Sequence, residues 1–411
     1  MSKRILIHSL VFSPDGVSTA YIYNDIALKL HEQGYNVIVL TTTPHFNKMP
    51  ELVKTQPMRW KVWGICKESD FHGIKVLHVP QKKFKNTLLR MIGFVYWHFI
   101  SFFIGLTIRH VDLILSPSPP LTIGYLNLWL ARIKKCKTIY NVQEVYPDFL
   151  RMKEGIVLRM LKRIENKVYA NSDAVTTIDN VFYDIIINRF VDKDKLHVIP
   201  NFVDTALYRQ TDWESVLDSR LFFHTNAVKL LYAGNIGIAQ SWTILISLAE
   251  KLREHDMEFF IIGEGVHKGQ LEKEISRLNL TNVHLLPYQP RESMPAILSY
   301  SDISFIFMNP EMDSDGFPSK VYTIMACERP ILVASGNNTP IVKFLEGKGC
   351  AKLVTEPDEM KRVEIMADWL SSVTKEELKQ MGHSGLQVIT AGYTREKVTG
   401  QYVNLVNQLI K

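Results

Sequence analysis

The chain has 411 residues, 46% of them hydrophobic and 22% charged, with a formal net charge of +6. That length exceeds what one core usually serves, so two domains are expected, with apolar material for both. So modest a charge argues against a nucleic-acid binder and leaves anionic lipids or phosphorylated ligands open as partners.

The chain passes from Lys3-Arg4 straight into the apolar run Ile5-Leu6-Ile7, with no secretory signal at its start. A loop, His8 to Ala20, carries Pro14 and Gly16, and a helical pattern follows through Ile26, Ala27 and Leu30 to Gly34. The strand Val37–Thr41 completes a βαβ unit. Gly16 would let backbone approach a ligand closely, as phosphate loops require, although no GxGxxG fingerprint surrounds it. Ile74–Val79 reads as a further strand.

Met91–Ile108 is then a run of eighteen mostly apolar residues, at the lower limit for a membrane span. Lys82, Lys83, Lys85 and Arg90 precede it and Arg109-His110 follow it. Three readings stand: a buried helix, a helix inserted partway into the cytoplasmic membrane face, and a true span. Gly93, Ser101 and Gly105 form a small stripe suited to close packing. Basic residues beside exposed aromatics such as Trp97 and Phe102 suit an interfacial helix that also closes the domain core.

Strands at Leu113–Ser116 and Thr138–Val142 flank a helix through Trp129, and Ile156–Val168 is a helix with basic outer faces. Ala174–Ile178 and His197–Ile199 are later strands, and Pro200–Asp204 is a crossing between halves. A fresh βα series follows at Val228–Gly234, Glu258–Gly263, Val283–Leu286 and Ile303–Phe307. The architecture expected is α/β, with two Rossmann-like doubly wound parallel sheets and ligand loops at their carboxyl edges. The domains expected are 1–200, 201–390 and a C-terminal helix over 391–411 that returns to the first. Cys66, Cys136, Cys327 and Cys350 have no metal or redox spacing, which suits a reducing cytosol.

The stretch from Asp313 through Gly316 to Tyr322 is a Gly/Pro/Ser loop opening a short helix, followed by an apolar strand. Backbone N–H groups there, with Lys320 beside them, would suit a diphosphate. The same residues also make an ordinary loop–helix–strand unit. Asp313-Ser314-Asp315 resembles a divalent-metal chelate, but a metal is redundant beside Lys320, and none is expected.

Together, the Gly16 loop, Pro200-Asn201-Phe202-Val203-Asp204, Tyr232-Ala233-Gly234-Asn235-Ile236-Gly237, Ile262-Gly263-Glu264-Gly265 and Pro318-Ser319-Lys320-Val321-Tyr322 resemble glycosyltransferase family 4. The resemblance covers nearly the whole chain. It implies a GT-B fold with two domains facing across a cleft, and retaining, nucleotide-sugar-dependent transfer without a cofactor. With Asn141 to Asp148, the Pro-Ser-Lys motif is closest to the subgroup adding N-acetylfucosamine-type sugars in bacterial O-antigen or capsule synthesis. The implied partners are a UDP-sugar and an undecaprenyl-diphosphate-linked saccharide, met at the inner face of the cytoplasmic membrane. A GT-B epimerase, a soluble transferase with a small acceptor, and a nucleotide-sugar-binding scaffold remain alternatives.

Family members carry an Arg and a Lys where this chain has Asn235 and Gln240, so Lys320 is left as the cation for the leaving diphosphate. The family's paired glutamates fall at Asp315 and Thr323, and Thr323 cannot supply a carboxylate for ribose, a task that passes to Tyr322 or elsewhere. Glu144 is the residue expected to orient the acceptor or the sugar, or else to stabilise a helix start. Catalysis is thus assigned to Glu144, Lys320 and Asp315. Donor binding is assigned to Gly16, Gly234, Asn235, Gly263, Glu264, Tyr288, Gln289, Pro318, Ser319, Tyr322 and Thr323.

Overall fold

The computed structural model describes residues 2–61, 64–84, 86–147, 155–311 and 317–411. Lys85, Asp148, Asp313 and Asp315 lie outside the described residues. The chain forms two compact units, Met1–Asn201 with Glu396–Lys411, and Phe202–Arg395. The second boundary falls after 395 rather than 390 because Val203 bonds the backbone of Tyr393 and Arg395, and Arg395 pairs with Asp204 at 2.8 Å.

The first unit runs through β1 (Arg4–His8), α1 (Ser18–Glu32), β2 (Asn36–Thr42), α2 (Pro50–Thr55), β3 (Arg59–Lys61), β4 (Cys66–Phe71), β5 (Ile74–Val79), α3 (Thr87–Thr107), β6 (Leu113–Ser118), α4 (Leu121–Lys134), β7 (Lys137–Val142), α5 (Ile156–Asn171), β8 (Ala174–Thr177), α6 (Asn180–Ile186) and β9 (Leu196–Val198). Its sheet has the order β3-β4-β5-β2-β1-β6-β7-β8-β9. Pairing is parallel from β5 to β9, while β3 and β4 add an antiparallel edge. The sequence reading missed that edge because Lys67, Glu68 and Asp70 give β4 a polar composition. β1 is central, its Ile5, Leu6 and Ile7 fully buried, and the connections reverse direction between β1 and β6. Reversal of this kind opens a crevice at the carboxyl ends of the strands.

Helix α1 buries Ala20, Tyr23, Ile26, Ala27 and Leu30, the three-to-four spacing of one helical stripe. Helix α3 is different. It buries only Gly93, Trp97, Ser101, Ile104 and Gly105, so the small stripe faces inward. A Cβ on Gly105 would lie 2.8 Å from Leu130 of α4, and one on Gly93 would meet Gln81 at 3.0 Å. Trp97 is therefore not a membrane-facing aromatic as expected: it is fully buried, with its ring 5.3 Å from that of His8. Phe102 is half-buried, and the exposed apolar face is carried by Leu88, Met91, Val95, Phe99 and Phe103.

The second unit contains β10 (Val228–Ala233), α7 (Trp242–Lys251), β11 (Met257–Ile262), α8 (Lys268–Arg277), β12 (Val283–Leu286), α9 (Met294–Tyr300), β13 (Ile303–Phe307), α10 (Lys320–Ala326), β14 (Ile331–Ala334), α11 (Pro340–Leu345), β15 (Ala351–Val354), α12 (Glu359–Ser372) and α13 (Lys375–Gly392). Its parallel sheet has the order β12-β11-β10-β13-β14-β15, with the reversal between β10 and β13. Alternate residues feed separate cores: Leu231, Phe260, Ile306 and Val333 one face, Leu230, Phe259, Phe305 and Leu332 the other. A sheet covered on both faces requires such apolar runs.

Helix α14 (Arg395–Leu409) returns the chain to the first unit, where its Tyr402 accepts a hydrogen bond from Asn141 Nδ2 at 3.0 Å. Asn141, fully buried, also donates to Thr176 at 2.8 Å and accepts from Gln143 and Tyr23.

The loops after β10 and β11 are laced together. Gly234 N–H donates to Ile262 O at 2.9 Å and Ile236 N–H to Glu264 O at 2.8 Å. Gly263 has φ +152°, and a Cβ there would stand 1.9 Å from Gly234 O. We expect Gly263→Ala to lower unfolding free energy by about 2–6 kcal/mol, combining backbone strain with an overpacked contact. An unchanged denaturation midpoint would show that the lacing is dispensable.

Candidate active site

The second unit gathers its site at the reversal between β10 and β13. Lys320 opens α10, and its Nζ lies 2.7 Å from where a Cβ would stand on Gly234, directly past the end of β10. Any side chain at 234 would displace that ammonium, and φ +151° there also favours glycine. The same Nζ sits 3.8 Å from the centroid of the Tyr232 ring, a cation–π contact. Tyr232 is fixed in turn by its hydroxyl, which donates to Asn235 O at 2.7 Å. Among the described residues no carboxylate forms an ion pair with Lys320. Burial, which disfavours the charged form, lowers its pKa to about 7. A cation held this way is prepared for an incoming anion.

Gly234, Gly263 and Lys320 thus come together. Asn235 and Glu264 are exposed on the adjoining turns, where Glu264 pairs with Lys268 at 2.7 Å. Pro318 and Ser319 lead into α10, their carbonyls accepting from Val321 and Tyr322 in its first turn. Tyr288 is 54% exposed and Gln289 follows it, but both stand past β12, two strands from β10. Gln240 does not replace the family's lysine: its Nε2 bonds Ala239 O at 3.3 Å.

Three of the residues assigned to donor binding are engaged within the protein itself. Tyr322 is a core residue, 3% exposed, packed among Phe317, Phe344 and Tyr393, so it presents no surface to a ribose. Helical geometry turns it away from its neighbour Lys320. Thr323 spends its hydroxyl on Lys320 O at 2.8 Å. Gly16 donates its N–H to Asn47 O at 2.9 Å, so that group is not free for a phosphate.

In the first unit, Glu144 follows β7 at the carboxyl edge and is half-buried, with its carbonyl accepting from Ser118 Oγ at 3.1 Å. Burial, and then the Glu144 charge, raise the Tyr146 hydroxyl to about 12. His8, at the end of β1, does not face open space: it is fully buried, paired with Asn127 Oδ1 at 2.7 Å, and lowered by burial to about 4. The sequence reading overlooked Asp15. Its buried carboxylate accepts from the N–H groups of His45, Phe46 and Asn47 at 2.8–3.0 Å, fixing the loop that covers Gly16. Its place beside a loop glycine was the available signal.

Comparison with known proteins matches residues 20–207 to Glycosyltransferase Family 4 and residues 218–387 to Glycosyl transferases group 1. The second match contains Gly234, Gly263 and Lys320. A protein of Escherichia coli (strain K12), named as the colanic acid biosynthesis glycosyl transferase WcaI, is 24% identical over 87% of this chain and 89% of its own. Sucrose-phosphate synthase from Thermosynechococcus elongatus superposes with TM-score 0.76 at 12% identity, covering 99% of both chains. Anabaena Alr3699/HepE in complex with UDP gives 0.73 at 13%, covering 99% of this chain and 100% of its own. At such identities the structural likeness is one of fold. The chain is a GT-B glycosyltransferase, its first half a Family 4 region and its second half a group 1 region.

Proposed function

We propose that the protein transfers a sugar, N-acetylfucosamine or a related N-acetyl sugar, from a UDP-sugar to a polyprenyl-diphosphate-linked saccharide in bacterial surface polysaccharide synthesis. The observation that carries the donor half is Lys320, whose ammonium is held against Gly234 at the reversal of a parallel sheet and forms no ion pair among the described residues. The likeness to WcaI, named for colanic acid biosynthesis, supports the polysaccharide setting, and the fold shared with a UDP complex supports the nucleotide.

Breaking the sugar–phosphate bond puts growing negative charge on the diphosphate. Lys320 stands in place to meet it before the reaction begins, so little reorganisation is needed at that moment. In a retaining front-face reaction the leaving phosphate takes the acceptor proton as the new glycosidic bond forms. Glu144 orients the acceptor hydroxyl or the sugar. No metal is required in this scheme, because the cation comes from the protein.

Lys320→Ala should lower turnover about a hundredfold or more with the fold intact. Wild-type activity should persist in excess chelator. The pH dependence has a definite sign. Below about 7 the ligand-free protein already carries the Lys320 charge, whereas above it UDP binding must take up a proton. Calorimetric titration with UDP should therefore show affinity falling as pH rises beyond 7, and Lys320→Arg should remove the dependence. Normal turnover in Lys320→Ala would sink the assignment.

The second half of the proposal is location at the cytoplasmic face of the inner membrane. Along α3, Val95 is 65% and Phe99 61% exposed, beside the exposed Lys82, Lys83, Arg90 and Arg109. Apolar insertion with basic flanks is how interfacial helices bind acidic bilayers. The double substitution Phe99→Ser/Phe103→Ser should release the protein from liposomes without lowering its melting temperature. It should also reduce activity on a lipid-linked acceptor more than on a short-chain analogue. Wild-type protein that ignores liposomes at low salt would overturn this half alone.

A further inference from the structure

We infer that a groove between α4 and α5, at the amino edge of the first unit's sheet, binds the phosphate of an anionic phospholipid headgroup. This inference rests on the membrane half of the proposal above and adds a specific lipid site to it. The groove has a volume of about 580 Å³, and its walls include Tyr125, Trp129, Arg132, Lys135, Lys167 and Asp173. Arg132 comes from the last turn of α4, Lys135 caps that helix, and Lys167 reaches in from α5. Three cations therefore converge on one recess.

The balance of charge in the groove is one-sided. Asp173 is already committed, accepting from Lys137 Nζ at 2.8 Å and from Thr138 N–H at 2.9 Å. Among the described residues no ion pair is formed by Arg132, Lys135 or Lys167. Lys167 instead leans over the Tyr125 ring at 5.9 Å, and Tyr125 meets Trp129 edge-on at 6.5 Å. Lys135 holds its place at φ +55°, the left-handed cap position that glycine or asparagine fills at least cost. A guanidinium and two ammoniums around a recess of this size are the chemistry that recognises a phosphate.

The surroundings favour a phosphate that belongs to a lipid. Trp129 is 51% and Ile133 57% exposed on α4, and α3, which packs against α4, displays Phe99 and Phe103. Tryptophan beside cations, with exposed aliphatic and aromatic residues on the same pair of helices, is the composition of a bilayer interface. Lys135 and Asp173 lie immediately before β7 and β8, at the strand ends opposite the loops bearing Gly16 and Glu144. A lipid held there is a fixed point of attachment, not the acceptor undergoing reaction.

The test is sedimentation of the full chain with phosphatidylcholine vesicles and with vesicles also containing phosphatidylglycerol. The triple variant Arg132→Gln/Lys135→Asn/Lys167→Gln removes three charges from exposed or half-exposed positions, and its melting curve reports that the fold survives. It should lose about a hundredfold of the preference for phosphatidylglycerol while still binding neutral vesicles through α3. A control that removes three charges from exposed positions of the second unit, Lys251→Gln/Lys273→Gln/Lys379→Gln, should lose much less. Equal loss in both variants would overturn the groove and leave the membrane reading standing. Wild-type protein that binds neither vesicle would overturn the membrane reading itself and the groove's lipid with it. Saturable quenching of Trp129 by glycerol 3-phosphate without vesicles, absent in the triple variant, would assign the groove to a soluble anion and also overturn the lipid reading.

Discussion

One partly buried charge sits where the loops after β10 and β11 meet. An ammonium is costly to desolvate; among the described residues no carboxylate pairs with Lys320, while Tyr232 offers it a ring face and Gly234 offers room. The requirement propagates. Gly234 must lack a side chain for Lys320 to fit, and Gly263 must lack one because its Cβ would strike Gly234 O. Two positions, 234 and 263, are thus held to glycine in succession, the first by the cation and the second by the first. Linkage gives the energetic sign. With the folded pKa near 7 and the unfolded value about 10.4, the unfolded chain binds more protons between them, so this group's contribution to stability rises with pH over that window. Near neutral pH the site is a strained one, relieved by any anion that pairs with the lysine.

The first unit depends on a neutral counterpart. Asn141 is fully buried, and its amide holds Thr176 on β8 and Tyr402 on the returning helix, while its carbonyl serves Gln143 and Tyr23. An amide suits this place because it supplies two donors and an acceptor without a charge to desolvate. Gln143 and Asn201 then bond each other reciprocally at 2.9 and 3.1 Å, fixing the strand end from which Glu144 projects. What reads as one motif around Asn141 is structural at its first and third residues, and only the fourth, Glu144, is left for the proposed chemistry.

The sequence carried the architecture because parallel strands buried on both faces must be apolar runs, and those runs alternate with helical stripes. It could not carry the edge strand β4, whose Lys67, Glu68 and Asp70 resemble a loop, nor the knot at Asp15, whose partners begin thirty residues on. Within the site, motif reading found Lys320 and Gly234 separately, but their contact is a tertiary fact. Motif reading also treats neighbours alike, whereas a helix turns successive residues by about 100°, sending Lys320 to the site and Tyr322 into a core of aromatic rings. Gly16 misled for a related reason. Glycine marks where backbones approach closely, and here the approaching backbone is that of Asn47, not a ligand's.

Helix α3 shows where periodicity stops being informative. A helix apolar all round is ordinarily either buried or in lipid, and the sequence alone does not choose. In the fold only 22% of its most apolar stretch is buried. Its inward stripe is made of small residues and Trp97, which pack against α4 and His8, so the large apolar side chains are left outside. Polarity does not decide which face turns inward: Gly93, Ser101 and Gly105 allow the close approach, and Trp97 and Ile104 fill the space between them. The result is an amphipathic division drawn by size. Leu88, Met91, Val95, Phe99 and Phe103 form a row in contact with water at a cost of about 25 cal/mol per Å² of apolar surface. A second apolar phase would remove that cost, and the exposed arginines and lysines at either end of the row set the charge of the surface that would supply it.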